Sequence, residues 1–428
     1  MKFYQINGLS MAVIHNYQIE WAKAYGLADT TTQRSVTTET RFQAGSISKS
    51  LNGVGVLTLV QDKKIELLTD INQYLTTWKF PYDSLAKNKK ISTANLLSHT
   101  AGLTIHGFPG YGIQEELPTL SQVLNGQKPA NTEAVRSQFE PGLRFQYSGG
   151  GTTISQLLLM DVTHQPYDQY MSEKVLKPMG MTNSSYTQPP AGNALLATGY
   201  DGKGKEIAGK YNIYPEQAAA GLWTTPTDLC RYIIETQLAY QGKSEKVLSQ
   251  QTTRLRLTPY VDSSAALGVF ITKKGTDTYF GHGGADQGFL SQYYGSLTNG
   301  DGVVIMVNSN NGAILKEIVN SVATVYNWKE FYKPVIKKVE IVPDSILQTY
   351  VGEYELGPNF ILTVTVDQNR LIIQATGQPK FEVFPETQTR FFPKEFEALI
   401  EFVKDESGKI TKIILFQGGR SNDAKKIK

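Results

Sequence analysis

Between Ser46 and Asp62 the chain carries a helical stretch with no polar side. Its second half, Val54-Gly-Val-Leu-Thr-Leu-Val60, is apolar on nearly every face. A surface helix shows one apolar stripe and keeps the rest polar. A helix lacking a polar face has to be covered all round, so this one predicts a layered domain built about it. Lys63 and Lys64 follow, where cations suit the negative end of the helix dipole. The chain, at 428 residues, also exceeds what one hydrophobic core holds, about 250–300 residues. One large and one smaller domain are expected.

The remaining pattern fits such a layered domain. Leu9–Ile14 and Gln18–Ala24 read as strands around a turn at Asn16-Tyr17. Helices are expected at Gly151–Val162, Pro166–Val175 and Pro226–Tyr240; the last starts clearly, with Thr225 as cap, Pro226 first and Asp228 third. Strands return at Ala266–Thr272, Tyr279–His282, Gly288–Ser296 and Gly302–Val307, and a helix at Ala313–Trp328 closes the domain. The fold class is α/β: an antiparallel sheet flanked by helices, with a helical insert.

Residues 330–343, with two prolines and mixed charge, read as a linker between a domain at 1–329 and one at 344–428. After the linker the texture becomes short alternating strands: Phe360–Val366, Leu371–Ala375, Phe381–Phe384, Ala398–Val403 and Ile410–Phe416. These predict a small antiparallel β-barrel or curved sheet.

Composition narrows the function. A net charge of +3, with no long run of Lys or Arg, gives nucleic acid nothing to hold. The one cysteine, Cys230, rules out an intrachain disulfide framework, and in a helix it reads as a small buried residue. None of the five histidines lies in an HExxH pattern, so no metal or other cofactor is expected. No apolar run reaches membrane-spanning length. The chain opens Met-Lys-Phe-Tyr-Gln and enters a strand within about ten residues, so it reads either as cytoplasmic or as a chain relieved of an export signal.

Three sequence features carry chemistry. Ser46-Ile-Ser-Lys49 puts a hydroxyl and an amine one helical turn apart. A serine becomes a nucleophile when a base takes its proton, and a lysine whose charge is disfavoured by burial can serve. The spacing alone is weak, since Ser84-Leu-Ala-Lys87 shares it in a polar surface stretch. The difference is context, because Lys49 begins the buried helix and a buried charge needs a reason. Arg144-Phe-Gln-Tyr147-Ser148-Gly149-Gly-Gly151 offers a phenol able to shuttle a proton, ahead of glycines that allow a tight turn. Gly281-His282-Gly283-Gly284-Ala285 lies at a strand edge where a ligand backbone can approach, and a backbone N–H there could join that of Ser46 in an oxyanion hole. Taken singly, the second and third also read as ordinary turns.

In this order and spacing, the three features resemble the serine β-lactamases and penicillin-binding proteins, in the branch of class C β-lactamases, D-alanyl carboxypeptidases, D-aminopeptidases and related esterases. Leu97-Ser-His-Thr-Ala-Gly-Leu103 and Ala220-Gly-Leu-Trp-Thr-Thr-Pro-Thr-Asp228 are similar to further segments of that group. The resemblance covers Leu9 to Trp328, and the part from Tyr350-Val-Gly-Glu-Tyr354 looks like the lipocalin-like appendage of some members.

The resemblance implies a metal-independent hydrolase in which Ser46 is acylated and Lys49 is its base or hydrogen-bond partner. Tyr147 is then the general acid/base, and the N–H groups of Ser46 and Ala285 form the oxyanion hole. Gly149, His282, Gly283 and Gly284, with Phe108 and Tyr111 at the rim, would contact substrate. Two departures bear on specificity. Gly149 stands where the family often has Asn, and His282 stands where β-lactamases have Lys, supplying a positive charge only in part given a reference pKa of about 6.5. Both favour an ester or D-amino-acid peptide or amide over efficient β-lactam hydrolysis. A small molecule or peptide is the expected partner, with β-lactams as candidates, and a periplasmic or secreted location follows from the cell-wall peptides that relatives act on. His99 reads as structural, and Asp286 as a partner of His282 or of a substrate amine. A binding or scaffold protein that lost turnover is the rival reading. An α/β-hydrolase fails for want of a Gly-x-Ser-x-Gly elbow.

Overall fold

The computed structural model describes all residues except 191–194, 335, 359, 379, 395 and 418–419. By its contacts the chain divides into Met1–Tyr332 and Lys333–Lys428.

The first unit opens with strands β1 (Gly8–His15), β2 (Gln18–Asp29), β3 (Arg34–Ser35) and β4 (Phe42–Gln43), followed by helix α1 (Ser48–Gln61). The helical insert contains α2 (Thr93–Leu97), α3 (Leu120–Asn125), α4 (Gly149–Thr163), α5 (Tyr167–Met171) and α6 (Gln217–Ala220). Strand β5 (Trp223–Thr224) pairs with β4, and α7 (Pro226–Tyr240) and α8 (Gln250–Arg256) follow. Strands β6 (Phe270–Lys274), β7 (Asp277–Asp286), β8 (Phe289–Ser296) and β9 (Gly302–Val307), then α9 (Ala313–Val325), complete it. The main sheet runs β3-β2-β1-β9-β8-β7-β6 with every neighbour antiparallel.

Both faces of this sheet are covered. Strand residues alternate between faces, so Leu9, Met11, Val13, Val303, Ile305 and Val307 pack with Ile314, Val319 and Val322 of α9. Ala12, Ile14, Val304 and Met306 face the larger core with α1 and α7. In α1 every residue from Ser48 to Leu59 is buried, as its missing polar face requires. Its few polar groups are satisfied sideways: Asn52 Nδ2 donates to Ser155 Oγ at 2.9 Å, and Ser50 Oγ accepts from Tyr293 at 2.9 Å. Cys230 is fully buried in α7, whose cap is Thr225, accepting from Asp228 N–H.

Some boundaries differ from the sequence expectation. The expected strand Ala266–Thr272 begins at Phe270, because Leu267 and Gly268 turn to give their N–H groups to Arg256 and Leu97. The closing helix stops at Val325, ended by Asn327 at φ +53°. Strand β7 does not end at His282 but runs through the glycines to Asp286, paired with β8 throughout.

In the second unit, α10 (Asp344–Tyr350) precedes β10 (Gly352–Gly357), β11 (Phe360–Asp367), β12 (Arg370–Ala375), β13 (Lys380–Pro385), β14 (Arg390–Pro393), β15 (Leu399–Lys404), β16 (Ile410–Gln417) and β17 (Arg420–Lys426). They close into an all-antiparallel barrel, consistent with a lipocalin-like domain, with β17 pairing back onto β10. Alternate residues such as Leu362, Val364, Leu371, Ile373, Phe402 and Ile413 fill its core. Tyr350 of α10 stacks on Phe402 at 4.2 Å and donates to Gln388 O at 2.7 Å. The end of the expected linker belongs to this unit, since Val342 is buried in its core and Glu340 N–H donates to Pro385 O at 2.9 Å. Val335 of that linker lies outside the described residues.

Candidate active site

Ser46 sits on a short turn, Gly45–Ile47, that leads into α1. Gly45 has φ +53°, and a Cβ there would lie 2.5 Å from Ala285 N, so the turn presses directly on the backbone of β7. From the other side Gly284 allows the same approach, as a Cβ on it would fall 1.9 Å from Ala44 O. Ser291 of β8 donates to Ala44 O at 2.9 Å, and Ser48 donates to Gly45 O at 2.6 Å. The turn is thus fixed between sheet and helix, with the exposed residue Ala285 beside it. Strand β6 pairs β7 only up to Gly281, which leaves residues 282–286 without a strand partner on that side among the described residues.

Lys49 is 3% exposed, yet its Nζ donates to Ser46 Oγ at 2.9 Å and to Ala219 O at 2.7 Å. The Ala219 contact comes from α6 and holds the amine in place opposite the hydroxyl. Lys49 Nζ also lies 5.1 Å from the centre of the Tyr147 ring. A hydroxyl, an amine and a phenol therefore converge, although Tyr147 is about a hundred residues away in sequence.

Tyr147 is held by its surroundings. Ser148 caps α4, its Oγ accepting from Gly151 N–H at 2.9 Å. His99, buried and at φ +59°, accepts Gln146 N–H on its carbonyl at 2.7 Å and Ser148 N–H on Nδ1 at 3.2 Å. Its ring packs on that of Tyr147 at 4.3 Å. Burial, then the nearby charge of Lys49, pushes the His99 pKa well below its ordinary value, so the ring is neutral. This is a structural role, as its sequence context predicts.

His282 corrects the expectation of a partial positive charge. It is 4% exposed, its Nδ1 meets Gly283 O at 2.6 Å, and burial with the charge of Lys49 lowers its pKa to about 3. At neutral pH it is uncharged. With the proton on Nδ1, Nε2 is left as an acceptor, buried and without a partner among the described residues. Its ring lies 6.3 Å from that of Tyr147.

Asp286 does not orient His282, whose Nδ1 is taken by Gly283. The Asp286 carboxyl faces Gly45 N–H and the Tyr214 hydroxyl, and burial raises its pKa to about 8. Glu216, just before α6, is a buried carboxyl invisible in the sequence. It is fully buried, neither oxygen has a partner among the described residues, and burial raises its pKa to about 7. The expectation that Tyr111 lines the cleft is also corrected. It is 1% exposed, its hydroxyl accepts from Asn131 N–H at 3.2 Å, and its backbone pairs with Ile213. Phe108 is half-buried above Gly149. Among the described residues no group of three or more His, Cys, Asp or Glu is placed to hold a metal, and no helix is long and apolar enough to cross a membrane.

A serine and lysine one turn apart, a phenol beside the amine and a glycine-rich strand are thus brought together on one α/β sandwich. The chain belongs to the β-lactamase family, whose model matches residues 1–318, and residues 337–426 match a domain of unknown function (DUF3471). It is 24% identical to Protein flp of Staphylococcus aureus strain N315, over 86% of this chain and 70% of that protein. It is 20% identical to penicillin-binding protein 4* of Bacillus subtilis strain 168, over 99% of this chain and 96% of that one. Among solved structures, the octameric penicillin-binding protein homologue from Pyrococcus abyssi superposes with a TM-score of 0.67 at 20% identity, covering 99% of this chain and 97% of that one. The family's general chemistry is that of serine acyl-enzyme hydrolases.

Proposed function

We propose that this chain is a serine hydrolase that forms an acyl-enzyme on Ser46, acting on esters or on D-amino-acid peptides and amides in preference to β-lactams. The observation that carries this reading is the 2.9 Å contact between Lys49 Nζ and Ser46 Oγ beside the Tyr147 ring. Ser46 Oγ attacks the substrate carbonyl. Its proton passes to the Lys49 amine, acting in its neutral form as the base, while Tyr147 delivers its own proton to the leaving group. The carbonyl oxygen, now negative, sits between the N–H groups of Ser46 and Ala285. Water then attacks the acyl group with Tyr147 as base, and Ser46 regains its proton.

Uncharged His282 supports the preference, because a substrate carboxylate finds no cation there. Gly149 brings no side-chain amide for an acylamido group. The stretch of β7 past Gly281, which β6 does not pair, suits a substrate backbone laid alongside it. The same reading places the protein's work outside the cytoplasm, among cell-wall peptides, which fractionation of cells would check.

A panel of p-nitrophenyl esters, D-amino-acid amides and β-lactams tests the proposal. Turnover of esters or amides that vanishes in Ser46→Ala is expected; equal turnover in that variant would refute it. Acylation of Ser46 without release of product would favour the rival reading of a binding protein, for which the uncharged His282 is the motivating observation.

A further inference from the structure

The loop before Tyr111 is fastened at both ends. On one side Ser148 Oγ donates to Thr104 O at 3.0 Å, Gly150 N–H donates to Ile105 O at 3.0 Å, and His106 Nδ1 meets Tyr147 O at 2.5 Å. On the other, Asn212 Nδ2 donates to Pro109 O at 3.0 Å and Asn131 Nδ2 to Gly110 O at 2.9 Å. Phe108 lies between these anchors, so the path of its backbone is set by the fold. A Cβ built on Gly149 would lie 2.9 Å from Phe108 Cε2 and 3.3 Å from Cδ2. Real Cβ atoms do not come that near a ring carbon. A side chain at 149 would therefore require the ring of Phe108 to shift, and as it stands the ring occupies the space two residues from Tyr147. Phe270 stacks at 6.5 Å from the Tyr147 ring.

We propose that Phe108 is a specificity-determining residue, its ring filling the space over Gly149 so that the acyl side of the substrate meets an apolar surface and an apolar acyl chain is selected over an acylamido one. This deepens the hydrolase reading and rests on it. A ring edge gains contact with each methylene of an acyl chain, while an amide placed there would lose water and find no partner. The neutral His282 adds no charge that would draw a polar acyl group.

The test compares p-nitrophenyl butyrate with the p-nitrophenyl ester of N-acetylglycine, so that the leaving group is constant. The wild type should favour butyrate in kcat/KM by about tenfold or more, the scale of methylene discrimination in an apolar pocket. Phe108→Ala should erase most of that ratio, Phe108→Leu should keep part of it, and Phe108→Ala with Gly149→Asn should turn it toward the N-acetylglycyl ester. A wild type without preference for butyrate, or the same ratio in wild type and Phe108→Ala, overturns this inference while Ser46-dependent turnover leaves the hydrolase reading standing. Turnover that is independent of Ser46 overturns both. The Phe108→Leu variant, with its smaller volume change, keeps the outcome readable should Phe108→Ala fold poorly.

Discussion

The neutral ring of His99 packs against Tyr147, tilted, at 4.3 Å while its Nδ1 accepts the N–H of the next residue, Ser148. One side chain thus sets both the face of the phenol and the start of α4. In His99→Ala the Ser148 N–H would be buried without an acceptor, at a cost of about 1–3 kcal/mol. Loosening of Tyr147 should lower kcat/KM on a Ser46-dependent ester by about a hundredfold, the scale for displaced reacting groups. His99→Asn, which tolerates the positive φ and can accept the N–H, should recover stability more than rate. Thermal melts beside kinetics would show this split; equal recovery of both would argue against a positioning role.

Gly45→Ala should disable the site without dissolving the fold. A left-handed conformation costs a non-glycine residue about 1–2 kcal/mol, and the new Cβ would fall 2.5 Å from Ala285 N. The turn must then move off β7 and separate the two N–H groups proposed to hold the oxyanion. Loss of one such donor costs about 10²–10³ in kcat. A variant with a native circular dichroism spectrum and undiminished kcat would contradict this placement of the oxyanion hole.

Stability should carry a signature of the buried carboxyl. Glu216 has a folded-state pKa raised to about 7 by burial, against about 4.3 for a free glutamate. The folded chain therefore holds more protons than the unfolded chain between those values. Its contribution is fully present below the unfolded pKa and is lost as pH rises through the folded one. Asp286, raised to about 8, acts in the same direction. Glu216→Gln should flatten the fall in melting temperature between about pH 4.3 and pH 7. A variant that melts with the same pH slope as wild type would show that Glu216 is ionised when folded.

The barrel should depend on Tyr350, which joins α10 to the strands through Phe402 and Gln388. Tyr350→Ala removes a fully buried ring and should destabilise that unit by about 3–5 kcal/mol. Hydrogen exchange of the full-length chain would read this as lost protection within 344–428, and unchanged protection there would contradict it.

What the sequence shows of all this follows from range. The buried helix and the Ser46–Lys49 pair are local, so period and spacing expose them. Thr225, Pro226 and Asp228 mark the start of α7 for the same reason. Tyr147 joins the pair only through the packing of α4 and His99 on α1, and resemblance, not spacing, points to it. Tyr111 looks like a rim residue in a Gly/Pro loop until Asn131 captures its hydroxyl. Glu216 is not singled out in the sequence because nothing local marks it as buried. Strand β17 escapes notice because only Ala424 of Arg420–Lys426 is buried, leaving no alternation to see. The charge state of His282 depends on burial and on Lys49, neither of which a sequence displays.

The most direct check is covalent. Treat the protein with a fluorophosphonate, record the intact mass, and map the adduct by peptide sequencing. A single adduct on Ser46, absent in Ser46→Ala and formed slowly in Lys49→Ala, is the predicted result. An adduct on another residue, or labelling of Ser46→Ala at the wild-type rate, would contradict the account.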